Sequence, residues 1–282
     1  MDLRIDHVTV AGDRLEELEA EFRSVGLPPE YGGKHSNGAT HMSLLGFDDG
    51  TYAELISATE RARRAGRDDY WWADRIRGNA GPAAWAVRST DVERDAERLE
   101  AAGVPVDGPR SYEREREDGV TVEWDLAFPG TGQPGSLLPF LIADRTPRRY
   151  RVTPTEGVAD GPVRGVETVV VGVSDLDDAT ETLRDAFGLG RPAEYRETAF
   201  GARLAAFPDA PVALATPLDD SWLASRLDRF GVSPCGFLLR TDDLDDACET
   251  LAVSERTRLA DRPVGWLDFE ESRIGVVERA GH

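Results

Sequence analysis

The stretch Leu3-Arg-Ile-Asp-His-Val-Thr-Val10 decides the reading of the chain. It reads as a strand with His7 at its centre. A helix follows from Asp13, with Leu15, Leu18 and Phe22 on one stripe, Asp13 as its cap and an end near Gly26. Next comes the glycine-rich loop Gly32-Gly-Lys-His-Ser-Asn-Gly-Ala-Thr-His41. Two apolar runs, residues 42–47 and Thr51-Tyr-Ala-Glu-Leu-Ile-Ser57, close the unit. Three of the four histidines (His7, His35 and His41) fall inside it, and the fourth, His282, is the last residue.

The same grammar returns three times. Leu15 lies eight residues after His7, with Phe22 and Gly26 seven and eleven further on. Val92 follows the strand beginning at Trp85 and has Leu99 and Gly103 at the same two offsets. Leu176 is followed by Ala179 and Leu183, and Leu244 by Ala247 and Leu251, each at three and seven residues. Extended segments follow each helix, among them the alternating Val120, Val122, Trp124, Leu126 and Phe128. This is an internal repeat. It predicts an α+β fold of four β-α-β-β-β units, at 1–58, 82–143, 165–217 and 233–279. They pair into domains 1–145 and 165–282, joined by a polar, Pro- and Gly-containing linker at 146–164. Trp71-Trp-Ala-Asp-Arg-Ile76 and Trp222-Leu-Ala-Ser-Arg-Leu227 read as short connecting helices. Trp71 and Trp72 read as packing anchors, with pocket lining as the alternative for one of them, and the charged run Glu113-Arg-Glu-Arg-Glu-Asp118 as a solvated turn before a strand.

Composition narrows the partners. A net charge of −20 over 282 residues disfavours nucleic acid and anionic membrane surfaces. No run approaches the ~18 apolar residues of a membrane span, and the opening Met-Asp-Leu-Arg-Ile-Asp lacks a signal-peptide pattern. A soluble, cytoplasmic protein is expected. Lys34 is the only lysine. With the acid excess this favours a salt-adapted protein from a halophilic archaeon over a GC-rich codon bias. Cys235 and Cys248 are too few for a disulfide framework or a thiolate zinc site and read as small apolar fillers.

The paired units resemble the vicinal oxygen chelate superfamily, home of glyoxalase I and the extradiol dioxygenases, and within it the glyoxalase-like domain family. The resemblance rests on Asp6-His7-Val8, Gly32-Gly33-Lys34-His35, Thr40-His41 and Tyr52-Ala-Glu-Leu-Ile56. It rests also on Glu117-Asp-Gly-Val-Thr-Val-Glu-Trp-Asp-Leu-Ala-Phe-Pro129 and Leu138-Pro-Phe-Leu-Ile142. It implies curled sheets, each enclosing a pocket between two units. It further implies one divalent metal (Zn, Ni, Fe or Mn), bound by a side chain from the first and last strands of each unit. Where the family's loop usually carries an asparagine, this chain has Met42.

His7 and Glu54 occupy the two metal positions of the first unit, an imidazole and a carboxylate suited to a transition metal. Counting along the repeat puts Ala84, Thr168 and Gly236 at the His7 position, and Phe140, Ala213 and Val276 at that of Glu54. None ligates a metal, which argues against glyoxalase I and extradiol dioxygenase activity. His35 and His41 on the loop read as acid–base assistants to His7 and Glu54, with Asn37, Thr40, Tyr52 and Trp124 as substrate-binding residues. The expected function is metal-assisted lyase or isomerase chemistry on a small oxygen-containing metabolite in the N-terminal pocket. The alternative is a non-catalytic sequestering protein of the bleomycin-resistance type. A homodimer is expected, with the C-terminal domain as a degenerate scaffold.

Overall fold

The computed structural model describes residues 3–116, 118–270 and 272–279, so His282 and Glu117 lie outside the described residues. The first half runs β1 (Ile5–Ala11), α1 (Leu15–Ser24), β2 (Glu30–Lys34), β3 (Thr40–Gly46) and β4 (Tyr52–Ala58). Two short helices follow, α2 (Glu60–Arg64) and α3 (Ala73–Arg77), then β5 (Gly81–Arg88), α4 (Val92–Ala101), β6 (Val106–Glu115), β7 (Thr121–Pro129) and β8 (Phe140–Asp144). After α5 (Glu156–Ala159) the second half repeats the plan. It runs β9 (Val163–Gly172), α6 (Leu176–Phe187), β10 (Ala193–Glu197), β11 (Ala202–Ala206), β12 (Val212–Pro217) and α7 (Trp222–Phe230). It closes with β13 (Ser233–Thr241), α8 (Leu244–Thr250), β14 (Val253–Leu259), β15 (Arg262–Leu267) and β16 (Arg273–Glu278).

Two curled eight-stranded sheets result, ordered β2-β3-β4-β1-β5-β8-β7-β6 and β10-β11-β12-β9-β13-β16-β15-β14. In each, the first strands of two units meet antiparallel at the centre and each pairs in parallel with the last strand of its own unit. The stripes read from sequence are the buried ones, Leu15, Leu18 and Phe22 on α1 and Val92, Ala96 and Leu99 on α4. Two local readings change. Arg14, not Asp13, stands at the α1 N-cap, and no side chain caps it. Residues 32–34 of the glycine-rich loop belong to β2, leaving the turn itself to His35–Ala39.

Register tests the repeat arithmetic directly. His7 faces Ala86 across the centre while Thr9 faces Ala84, so Ala84 is the symmetry mate of His7. Thr9 pairs with Glu54 and Ala86 with Phe140, which makes Phe140 the mate of Glu54. In the second sheet Val170 pairs with Ala213, as expected, but Leu238 pairs with Gly275. The fourth equivalent of Glu54 is therefore Gly275, and Val276 points to the opposite face, into the shared core.

One apolar core joins the two sheets, running from Leu15, Phe22 and Leu99 to Leu183, Leu239 and Val276. Phe22 meets Phe269 across it at 4.9 Å between ring centres. Two arginines at matching positions of the connecting helices clasp the seam. Arg75 donates to Val232 O at 2.9 Å and Ala83 O at 2.7 Å; Arg226 donates to Ala80 O, Pro82 O and Pro234 O. Burial, then the nearby charge of Arg226, brings Arg75 down to about 10. No helix among the described residues is long and apolar enough to cross a membrane.

Because the core is shared, the sheets should unfold together. Phe22→Ala is expected to cost about 3–5 kcal/mol and to lower the urea midpoint of a single transition. Two separated transitions would contradict a continuous core.

Candidate functional site

The concave face of the first sheet encloses a cavity of about 460 Å³, within the usual range for small-molecule sites. One side is apolar and aromatic, with Trp71, Trp72, Tyr112, Trp124 and Phe140 among its residues; the other carries His7, His35, Thr40, Tyr52 and Glu54. The matching face of the second sheet is filled by its own side chains, with Phe200 between Trp222 and Trp266 at 5.2 and 5.5 Å. Cys235 is buried there, and burial pushes its thiol up to about 12.

A β-bulge sets the polar side. Between Ile5 and His7 the pairing with β5 slips by one residue, leaving Asp6 as the extra residue. Asp6 and His7 are thereby brought within reach of each other, and His7 Nδ1 lies 2.8 Å from Asp6 Oδ1. Arg151 grips the same carboxylate with Nη1 at 2.9 Å and Nη2 at 3.0 Å, and Arg148 adds a third contact at 2.6 Å. Burial works against the charge on Asp6. The Arg151 guanidinium and the hydrogen bonds from His7 and Arg151 outweigh it and hold the carboxyl well below its usual range. In the neutral imidazole, an anionic Asp6 selects the tautomer with the proton on His7 Nδ1, which leaves Nε2 as the bare nitrogen facing Glu54. That ring stacks on Tyr52 at 4.6 Å, and Tyr52 Oη accepts from Arg151 Nη1 at 2.7 Å.

His7 Nε2 stands 3.9 Å from Glu54 Oε2, and His35 Nε2 stands 3.2 Å from Glu54 Oε1. His35 Nδ1 is 2.8 Å from Thr40 Oγ1. The consistent assignment has His35 Nε2–H donating to Glu54 and the Thr40 hydroxyl donating to Nδ1. Burial opposes the Glu54 charge, but the hydrogen bond and charge of His35, then His7 and Arg114, lower its pKa to about 2. Such a carboxylate is too weak a base to take a substrate proton near neutral pH. Its role is to orient His35 and to offset positive charge.

Of the residues expected from sequence, His7, Glu54, His35, Asn37, Thr40, Tyr52 and Trp124 all line this cavity. Asn37 sits at the rim with Oδ1 accepting from Ala39 N at 2.8 Å. His41 does not join them. Strand alternation turns it to the other face of β3, where it meets Tyr31 edge-on at 6.2 Å and burial lowers its pKa. The charged run is a solvated turn only from Arg116 on, where Gly119 N donates to Arg116 O ahead of β7: β6 extends to Glu115, and alternation buries Arg114 to 6% exposure between exposed Glu113 and Glu115. Trp71 and Trp72 form cavity wall as well as packing. Trp72 adopts a left-handed backbone at φ 60, with Nε1 donating to Pro134 O at 2.9 Å. Residues 146–164 are no free spacer, since Arg148 and Arg151 fold back onto Asp6 and Thr155 Oγ1 accepts from Gly46 N at 2.9 Å. Asp6, Arg151, Arg114, Tyr112 and Phe140 are the site residues that sequence reasoning missed.

The donor set does not fit a resident divalent metal. Ala84 and Phe140 occupy the second half-site with groups that have no lone pair to offer. The Phe140 ring stands edge-on to His7 at 5.3 Å. His35 and Glu54 are engaged with each other, which leaves His7 Nε2 as a single uncommitted donor in the first half-site. Among the described residues no three His, Cys, Asp or Glu side chains are disposed to hold an ion.

The glyoxalase-like domain family matches residues 5–187. A hypothetical protein from Staphylococcus aureus shares the fold at TM-score 0.64 and 13% identity, over 98% of this chain and 100% of that one. A variant of 4-hydroxymandelate synthase from Streptomyces coelicolor gives 0.58 and 14%, over 100% and 94%. A xylose isomerase-like TIM barrel/4-hydroxyphenylpyruvate dioxygenase fusion protein gives 0.59 and 12%, over 100% of this chain and 49% of that one. No curated protein matches the sequence.

Asp6 gives the site a signature in stability. Asp6→Asn removes the fully buried one of the two carboxylates that meet Arg151, leaving Asp144, and should cost up to about 3–5 kcal/mol at pH 7. A depressed carboxylate supplies stability above its unfolded pKa, about 4, and loses it as the pH falls through its folded value. Below pH 4 the wild-type unfolding free energy should therefore fall more steeply than that of Asp6→Asn, as read by urea titration across pH.

Proposed function

The chain belongs to the glyoxalase-like domain family of the vicinal oxygen chelate superfamily, and from that premise we propose metal-independent proton transfer in its N-terminal pocket. The reaction is of the isomerase or lyase kind, on a small metabolite with a C–H bond beside a carbonyl. The observation that carries this reading is the convergence of His7 Nε2, His35 Nε2 and Glu54 in a cavity that also has an aromatic wall, with Asp6 fixing the His7 ring.

His7 Nε2 is the general base. It takes the proton from the carbon beside the carbonyl, the C–H pair moves into the enolate, and the carbonyl oxygen gains negative charge. The His35 Nε2–H leaves Glu54 to donate to that oxygen. The imidazolium formed at His7 lies between two anions, Asp6 at 2.8 Å and Glu54 at 3.9 Å. Where the α-carbon carries a hydroxyl, the former carbonyl oxygen is protonated and the hydroxyl gives up its proton to become the new carbonyl. His7 returns its proton to the former carbonyl carbon, which completes an isomerisation. Where the next carbon carries a leaving group, the enolate electrons form the C=C bond as that group departs with its bonding pair, which completes an elimination. Ala84 and Phe140, which remove the second half-site, favour a second reading in which the pocket binds its ligand without turnover.

Solvent exchange separates the two. In D2O the protein should accelerate loss of the α-proton signal of 2-hydroxyacetophenone above buffer. His7→Gln should slow it by about 100-fold or more while keeping the melting temperature, and dialysis against chelator should leave it unchanged. No acceleration by the wild-type protein, or its loss on chelation, contradicts the reading.

A further inference from the structure

Arg114 is 6% exposed and no carboxylate among the described residues lies within ion-pair distance of it. It donates to two backbone carbonyls, Nη1 to Gly32 O and Nη2 to Arg151 O at 3.0 Å. Burial, partly offset by Tyr52 and Glu54, lowers its pKa. The neighbouring charges are already matched. Arg151 and Arg148 are answered by Asp6 and Asp144, and Glu54 accepts from His35. A guanidinium has five N–H donors in a fixed fork, and two carbonyl contacts leave donors of Arg114 unused. A buried cation of this kind is costly unless an anion meets it.

We infer that the pocket takes a monocarboxylate with an aromatic or bulky apolar body, its carboxylate held by Arg114. The inference rests on the N-terminal pocket proposed above as the functional site. Arg114 stands in the cavity wall, two residues from Tyr112 on the same face of β6. Trp71, Trp124 and Phe140 supply an aromatic enclosure for the body of the ligand. A single guanidinium matches a single charge. A dianionic phosphate would meet Glu54 inside and Asp68, Asp69 and Glu113 around the cavity, so the surroundings select against it. With the carboxylate on Arg114, the carbon skeleton extends past Glu54 and His35 towards His7, and the held acid sets which carbon faces the base.

The test is calorimetric titration of the full chain with three acid–amide pairs of rising size: benzoate, phenylacetate and indole-3-acetate, each against its neutral amide. In at least one pair the acid should bind about 10-fold or more tightly than the amide, the strength of a charge-assisted contact. Arg114→Met should abolish that preference while leaving amide affinity unchanged, and Arg114→Lys should keep part of it. Equal affinity for acid and amide, preference that survives in Arg114→Met, or no acid binding in any pair overturns the inference. If Arg114→Met does not fold, the wild-type ratio and Arg114→Lys decide. The outcome is separable from that of proton exchange: Arg114-dependent acid binding without exchange by His7 leaves this inference standing and removes the catalytic reading.

Discussion

The buried ion pair between Asp6 and Arg151 is the constraint on which the site depends. Alone, either group would be too costly to bury; together they place a fixed negative charge beside His7. Arg151 comes from the segment after β8, far along the chain, so the ring orientation of a first-strand histidine is set by a residue beyond the sheet. The same guanidinium holds Asp144 and the Tyr52 hydroxyl, and the Tyr52 ring stacks on His7. Strand, linker and base thus form one unit in which only His7 Nε2 is left free to face the cavity.

The fold is duplicated twice, but the chemistry is not. The bulge that brings Asp6 beside His7 recurs at the matching residues Ala83, Glu167 and Cys235, where the central pairings again slip by one. Glu167 meets Arg262, and Ala83 and Cys235 are apolar. Backbone geometry is therefore conserved in all four units while only the first has a carboxylate–imidazole pair. In the second unit Phe140 packs an apolar ring against His7, and in the second sheet Phe200 and Trp266 fill the concave face. The remaining open pocket couples an acid–base end to an aromatic wall.

Much of this was legible in the chain. The offsets from Leu15, Val92, Leu176 and Leu244 are a period written in core residues, and packing enforces them, so the four units and most paired positions follow from counting. The one slip, Val276 for Gly275, arises because strand lengths and turns vary after each helix. His7, Glu54 and His35 could be read because the resemblance and local clustering coincide. His41 misled because a strand alternates its faces, and neighbours in sequence then diverge in space. Arg114 was hidden by its acidic neighbours, although Glu-Arg-Glu on a strand is also the pattern of one inward side chain between two outward ones. Asp6 and Arg151 could not be paired from sequence, since a bulge and a returning segment leave no periodic trace.

The measurement that bears most directly on this account is the tautomer of His7, read by 15N NMR of the histidine-labelled protein with His7→Gln used to assign the signal. At a pH where the ring is neutral, the proton should sit on Nδ1, shared with Asp6, with Nε2 bare and sensitive to ligands in the cavity. A proton on Nε2 with bare Nδ1 would contradict the account, because Asp6 would then hold no proton of His7 and the nitrogen facing Glu54 could not act as a base.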